Sequence, residues 1–319
     1  MVDESQLHTI DMFNSDLRPL PVFVLEAEDK LAQWESGKAE GVSTGFATLD
    51  KFFRFVNGEY VTVAARPSQG KTVLGMQFAQ QIAEELLRTS DPGVAAVFSA
   101  EMSGWALIVR MAGAMAGVNT HKLRMGGGTP AERKADADKV RGALADLRKL
   151  PIWIDDGNGP TTALMLDRLA RLNDVLPVRF MLFDYMELGG DKAPGNSEEL
   201  RISGIAKSLK GIAKALNIPV CGLCQLSREV ENRANKMPVL SDLRYSGAIE
   251  AVSDVVLSIM RPEYYVERGM AINVPNEDRA GVAYISVLKN RNGPVGNVRM
   301  AFVKQQQRFG DLARSEVQL

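Results

Sequence analysis

From residue 41 onward, short runs that are apolar nearly throughout alternate with longer stretches whose apolar positions recur at helical spacing. The runs are Tyr60–Ala65, Ala95–Ser99, Ile152–Ile154, Phe180–Phe183, Val220–Leu223 and Val255–Met260. Strands buried on both faces of a mostly parallel sheet lose the in-out alternation of a half-exposed strand, so these runs predict such a sheet. The periodic stretches predict helices over 72–88, 103–117, 131–148, 162–175 and 198–216. Near the end, Val282–Leu288 and Val298–Val303 flank Asn292-Gly293-Pro294, which reads as a β-hairpin. The expected class is α/β, one core with a hairpin appended. The sequence holds no internal repeat and no low-complexity tract.

Residues 1–40 follow a different pattern and are expected to form a separate arm ahead of a domain spanning 41–319. Residues 1–20 are mixed and polar and read as a flexible arm. From Pro21 a short helix is expected, with Val24, Ala27, Leu31 and Trp34 on one stripe and Gly37 as its stop. An amphipathic helix this short is marginal in water, so the stripe needs a surface to pack on. That surface is either its own domain or a neighbouring subunit, and the sequence leaves both open.

Composition narrows the class without naming it. The 319 residues are 45 % apolar and 24 % charged, ordinary for a soluble globular enzyme. A net charge of −1 gives no sign of a nucleic-acid partner, so any basic surface has to be local. No apolar run approaches the length of about 18 residues needed to span a membrane. The opening MVDESQLHTIDMF is acidic and lacks a secretory pattern, so the expected location is cytoplasmic, of the host if the chain is viral. Cys221 and Cys224 lie on an expected buried strand, where i and i+3 face opposite ways. With only His8 and His121 beside them, they read as core residues rather than a zinc site.

The candidate chemistry starts at Ala65-Arg66-Pro67-Ser68-Gln69-Gly70-Lys71-Thr72, between a strand and a helix. That context suits a phosphate-binding loop, in which backbone N–H groups around Ser68 and Gly70 cradle phosphates at the helix N-terminus. Lys71 would neutralise the β and γ oxygens of ATP, and Thr72 would ligate Mg²⁺. Ala65 stands where the general pattern has its first glycine. Phe180-Met181-Leu182-Phe183-Asp184 puts an acid at the end of an apolar strand, the place for a second Mg²⁺-holding group. Glu101 follows another strand and is expected at the same edge, either to orient an attacking water or as a charge favoured by a helix N-terminus.

The runs VAARPSQGKT, FSAEM, LFDYMEL, GLCQLSR, SDLRYSGAIE and LKNRNGPVG resemble, in that order, the ATPase domain of DnaB-type replicative helicases over residues 22–309. That family writes its phosphate loop with the same departure at Ala65. The resemblance implies a RecA-like P-loop fold with an N-terminal linker helix, and ATP hydrolysis with Mg²⁺ on single-stranded DNA. It further implies a homo-oligomeric, hexameric ring, with a helicase loader as a further candidate partner. By motif, the resemblance implies that Lys71 and Thr72 hold triphosphate and magnesium, that Asp184 is the Walker B acid and that Glu101 is the catalytic carboxylate. Gln225 resembles the residue that links the γ-phosphate to the DNA loops, and Arg291, with Lys289 beside it, resembles an arginine finger reaching a neighbour's nucleotide. Arg244 and Gly247, in the loop SDLRYSG, are similar to the segment that holds the DNA backbone.

The residues lend these last roles separate support. Between Val287 and Phe309 stand Lys289, Arg291, Arg299, Lys304 and Arg308 with no acid, and a guanidinium on a rigid hairpin is a good transition-state clamp. A merely solvated hairpin is the alternative. Lys207, Lys210 and Lys214 form a stripe on an expected helix, read as solvated rather than DNA-facing. Tyr245 stands where the family usually has an acid, either stacking a base or packing within its loop. The family also carries a primase-binding helical domain before the linker helix, whereas here residues 1–20 precede the helix, an expectation against such coupling. Rival readings are a RecA-like recombinase or regulatory ATPase that does not unwind, and a loader that binds nucleotide without hydrolysing it.

Overall fold

A computed structural model describes residues 18–193, 195, 197–243 and 246–312. Most of the expected N-terminal arm, together with Arg244 and Tyr245, lies outside the described residues. By their internal contacts the residues fall into two units, 1–41 and 42–319.

In the first unit, helix α1 spans Leu20–Glu35. Pro19 sits at its N-cap position and Pro21 in its first turn, where a missing N–H costs nothing. The helix ends at Ser36, and Gly37 follows with φ +77°, the left-handed conformation that glycine adopts without penalty. None of its residues is buried.

The second unit is built on one sheet of nine strands in the order β3-β2-β4-β5-β1-β6-β7-β8-β9. The strands are β1 Tyr60–Ala65, β2 Val94–Ser99, β3 Ile152–Asp155, β4 Val178–Asp184, β5 Val220–Gln225, β6 Val255–Met260, β7 Val282–Asn290, β8 Gly296–Val303 and β9 Arg308–Asp311. Pairing is parallel from β3 through β6 and antiparallel from β6 to β9. The helices are α2 Lys71–Thr89, α3 Gly104–Ala116, α4 Thr120–Arg124, α5 Pro130–Leu147, α6 Thr162–Asn173, α7 Glu198–Ala215, α8 Ser246–Val252 and α9 Pro262–Val266.

Period-two alternation divides the core between the two faces of the sheet. Val61, Val63, Phe180, Leu182, Cys221 and Leu223 pack with α2, α3 and α5 on one face. Tyr60, Ala64, Met181, Phe183, Val220 and Cys224 pack with α6 and α7 on the other. The two cysteines are thus buried on opposite faces as free thiols, as expected. Helix starts follow local chemistry: Thr129 and Glu132 close a capping box on α5, and Thr161 and Ser197 cap α6 and α7.

All six expected parallel strands form, and the hairpin forms with its first strand extended through Lys289 to Asn290. β9 has no counterpart among the expected strands, because only Phe309 of its four residues is buried and so small a signal has no periodicity. The segment read as the loop SDLRYSG is a 3-10 turn at Leu240–Asp242 followed by α8, which begins at Ser246. Gly247 therefore stands in a helical first turn, exposed and with open space where a side chain would be. Of the lysine stripe on α7, Lys207 and Lys214 are exposed, but Lys210 turns inward to the Gly58 carbonyl at 2.8 Å and the Asp254 carboxylate at 2.6 Å. The expectation of a solvated stripe fails for Lys210, since a single buried carboxylate next to the helix captures it.

Candidate functional site

Parallel strands deliver their C-terminal ends to one edge, and here that edge collects the chemistry. In register, Ala65 lies beside Gln225, and Ser99 beside Asp184. The loop after β1, the acid ending β4, the glutamine ending β5 and Glu101 just past β2 are therefore neighbours. They surround a cleft of about 600 Å³ lined by Ser68, Gly70, Lys71, Thr72, Glu101 and Gln225, among others.

The loop is held in shape by its surroundings. Ser68 and Gly70 have φ of +65° and +99°. A Cβ at Gly70 would also meet the Phe309 ring at 2.9 Å, so both conformation and space demand glycine there. The buried Gln69 side chain accepts the Arg261 N–H at 2.7 Å. Arg261 in turn donates to the Ser68 carbonyl at 3.1 Å and stacks on the Phe302 ring at 3.7 Å. Arg66 is tied to Glu231 at 2.7 Å and to the Leu226 carbonyl at 3.0 Å. The result is a preset curve of backbone N–H groups at the start of α2, an anion site by geometry and dipole.

Asp184 lies beneath the cleft, 1 % exposed; among the described residues neither carboxylate oxygen makes a well-formed hydrogen bond, although the Thr72 hydroxyl lies close enough to favour the charged form. Burial pushes its pKa up, while the Lys71 charge and the Thr72 hydroxyl pull it down and Glu101 pushes it up again. A buried carboxylate left bare beside a hydroxyl and a second carboxylate fits a hard divalent cation, which takes oxygen ligands. Lys71 rests its ammonium over the Tyr185 ring at 3.7 Å. Gln225 donates its backbone N–H to Glu187 at 2.7 Å, joining the end of β5 to the turn that follows Asp184.

Two expected residues are elsewhere. Lys289 and Arg291 lie at the opposite edge of the sheet, because β7 runs antiparallel to β6 and places Asn290 against Val255. Arg291 bonds Asp254, the residue before β6, at 2.7 Å. Lys289 donates to the Glu250 carbonyl at 2.6 Å, and burial followed by the Arg291 charge lowers its pKa. Six residues of β1 separate the two edges, about 20 Å at strand rise.

Two features of the cleft have no motif in the sequence, and a third, Tyr185 of LFDYMEL, is given no role by it. Arg110, on α3, lines it on the side of Glu101 and has no hydrogen bond or ion pair among the described residues. The Arg261–Phe302 stack forms a flat wall. Tyr185 is the resting place of Lys71. For Arg110 a signal existed, since α3 starts just after Glu101 and therefore carries its side chains past the same edge.

A family model described as the DnaB-like helicase C-terminal domain matches residues 41–311. The chain belongs to that family. Among DnaB-family relatives, the replicative DNA helicase DnaB of Geobacillus stearothermophilus is 36 % identical over 281 residues, covering 87 % of this chain and 58 % of that protein. The DnaB of Pasteurella multocida is 39 % identical over 278 residues, covering 86 % of this chain and 56 % of its own. The chain thus spans less than two thirds of these relatives' length. Among solved structures, a separately solved ATPase domain matches with a TM-score of 0.79 at 27 % identity, covering 93 % of this chain and all of that one. A DnaB-like replicative helicase studied with primase matches at 0.76 and 28 %, covering 97 % of this chain and 71 % of that one. The fold of this DnaB-family domain is RecA-like, α/β with a mostly parallel sheet and antiparallel C-terminal strands.

Proposed function

We propose that this chain is the motor of an ATP-hydrolysing DNA helicase that moves along single-stranded DNA as a hexameric ring acting in replication. The observation that carries the reading is the division of the site between opposite edges of one sheet. Lys71, Thr72, Glu101, Asp184 and Gln225 share one edge, while Lys289 and Arg291 stand about 20 Å away. No single subunit completes the set, whereas a ring that sets the second edge of one copy against the first edge of the next completes it at every interface.

In this reading the loop from Ser68 to Gly70 and Lys71 bind the triphosphate of ATP, and the Arg261–Phe302 wall receives the base. Thr72 and Asp184 are the residues that would hold Mg²⁺, which when bound supplies charge neutralisation to the phosphate oxygens. Glu101 orients the water for in-line attack on the γ-phosphorus. Arg110 in cis and Arg291 with Lys289 in trans face the charge that develops on the transferred group. Gln225 carries the loss of the γ-phosphate to the segment of Arg244, Tyr245 and Gly247, which grips the DNA backbone. Residues 1–40 form an arm whose helix ties neighbouring subunits, ahead of the ATPase domain of residues 41–319.

The test is subunit mixing. Lys71→Ala and Arg291→Ala are each expected to abolish ATP turnover, and rings containing both are expected to regain part of it, because some interfaces then carry both intact residues. An arginine finger contributes about 10³–10⁵ in rate, so sparse repaired interfaces are measurable. Mixed rings no more active than the separate variants would sink the shared site. ATP-dependent unwinding of a forked duplex by the wild-type chain tests the motor itself, and hydrolysis without unwinding would favour a regulatory ATPase.

A further inference from the structure

Asp254 is the last residue before β6, and its side chain is 4 % exposed. Because β6 pairs with β1, Asp254 lies beside Tyr60 at the edge of the sheet remote from the nucleotide cleft. Its carboxylate serves three donors. One oxygen accepts the Tyr60 backbone N–H at 2.8 Å and the Lys210 ammonium at 2.6 Å. The other accepts Arg291 at 2.7 Å. The Arg291 backbone N–H also donates to the Asp254 carbonyl at 2.9 Å, and its second terminal nitrogen reaches the Ala251 carbonyl at 3.3 Å.

The charge balance of this cluster is the informative part. A guanidinium paired alone with a buried carboxylate is a neutral ion pair, and little of its field remains for a phosphate outside. Here Lys210, whose side chain is 16 % exposed, already compensates the carboxylate. Arg291 is therefore held by charge-assisted hydrogen bonds without being the sole counter-ion of Asp254, and with Lys289 and Glu250 also beside it, the cluster's three cations outnumber its two acids. About half of the Arg291 side chain, 49 %, remains open to solvent. Backbone and side-chain bonds to one residue fix the direction in which that open half points.

We propose that Asp254 and Lys210 form a neutral cradle that positions Arg291 toward the nucleotide of a neighbouring subunit. The proposal rests on reading Arg291 as acting in trans. Neither cradle residue touches nucleotide; both are positioning residues that act through Arg291. Partners of this kind typically alter function by about 10–100-fold when removed, and small displacements of a reacting group have effects of similar size.

Complementation separates positioning from simple loss of structure. Asp254→Asn is expected to lower kcat for ATP by about 10–100-fold with KM little changed, since the subunit's own phosphate loop is intact. Mixed with Lys71→Ala subunits, it is expected to regain turnover, because the unaltered Arg291 of the second variant reaches the intact loop of the first. Mixed with Arg291→Ala subunits, it is expected to regain none, because every finger is then defective. Lys210→Met should behave in the same way, leaving the Asp254 charge to bind Arg291 alone. The double variant Asp254→Asn/Lys210→Met should have a higher kcat than either single one, since removing both charges restores the neutrality that each single substitution breaks.

Wild-type kcat in folded Asp254→Asn or in Lys210→Met overturns the proposal. So does a failure of either to recover with Lys71→Ala when Arg291→Ala, assayed alongside, does recover. Should Arg291→Ala itself fail to recover with Lys71→Ala, the finger reading falls and the cradle with it. If Asp254→Asn does not fold, Lys210→Met is put through the same mixtures, and the same outcomes support or overturn the cradle.

Discussion

Asp184 shows what a site prepared for a cation costs the protein that carries it. A carboxylate enclosed on all sides with no well-formed hydrogen bond is destabilising, since the Lys71 charge and the Thr72 hydroxyl beside it do not fully repay its desolvation. Asp184→Asn keeps the shape and removes the charge, so it should stabilise the nucleotide-free domain while abolishing hydrolysis. Asparagine still leaves a buried amide unsatisfied, so only the excess cost of burying the charge is relieved, and a small rise in Tm is expected, roughly 2–4 °C per kcal/mol relieved. The pH dependence has a definite sign. Asp184 has a pKa above its unfolded value, so the folded state holds the proton more readily and its stability falls as pH rises through that raised pKa. Calorimetry across the acid range should find that slope reduced in Asp184→Asn. An unchanged or lower Tm in the variant would mean that the carboxylate is satisfied in solution.

At the scale of elements, α1 has an unburied apolar stripe, and the proposed role for it is a tie between neighbours. Deleting residues 1–36 should weaken ring assembly while the ATPase domain keeps its fold, by sedimentation and circular dichroism respectively. Leu31 and Trp34 together offer roughly 1.5–3 kcal/mol each on burial. Equal assembly by the shortened and full chains would make the helix a local feature only. The strands and the cleft were legible in the sequence for a common reason. A strand buried on both faces has to be apolar throughout, and a parallel sheet then brings the residues after each strand to one edge. Ser68–Thr72, Glu101 and Asp184 were expected together on that basis, whereas Gln225 was recognised through its family motif. Arg110 was legible only as a residue of the helix that follows Glu101, and the Arg261–Phe302 stack was not legible at all, because it arises from how β8 packs over the edge, which no local spacing encodes. Arg291 was recognised through its motif, but its distance from Lys71 was not, since it depends on the reversal of direction at β7. Lys210 looks like any solvated lysine until the fold sets Asp254 beside it.

At the scale of the whole molecule, the segment proposed to hold DNA belongs to the proposed motor only if a phosphate contact is present there. Arg244→Ala should weaken binding to single strands of every sequence and reduce the salt dependence of log K by about one phosphate's share. Fluorescence anisotropy over a salt series with an ATP analogue measures both, and an unaltered affinity would exclude Arg244 from the grip. A different consequence follows from β9. Phe309 lies under Gly70, and its backbone N–H and carbonyl are both bonded to the Gln77 side chain, at 2.9 and 3.0 Å. Asp311 reaches further back, to the Ala47 N–H at 2.8 Å. The floor of the phosphate loop is thus among the last parts of the domain to be synthesised, although the loop itself is among the first. On the ribosome, a nascent chain can lay down β1 and α2 early but has nothing beneath Gly70 until Phe309 emerges. Chains cut short before β9 would lack the Phe309 ring beneath Gly70 and the bonds to Gln77, and are expected to hold the phosphate loop less firmly.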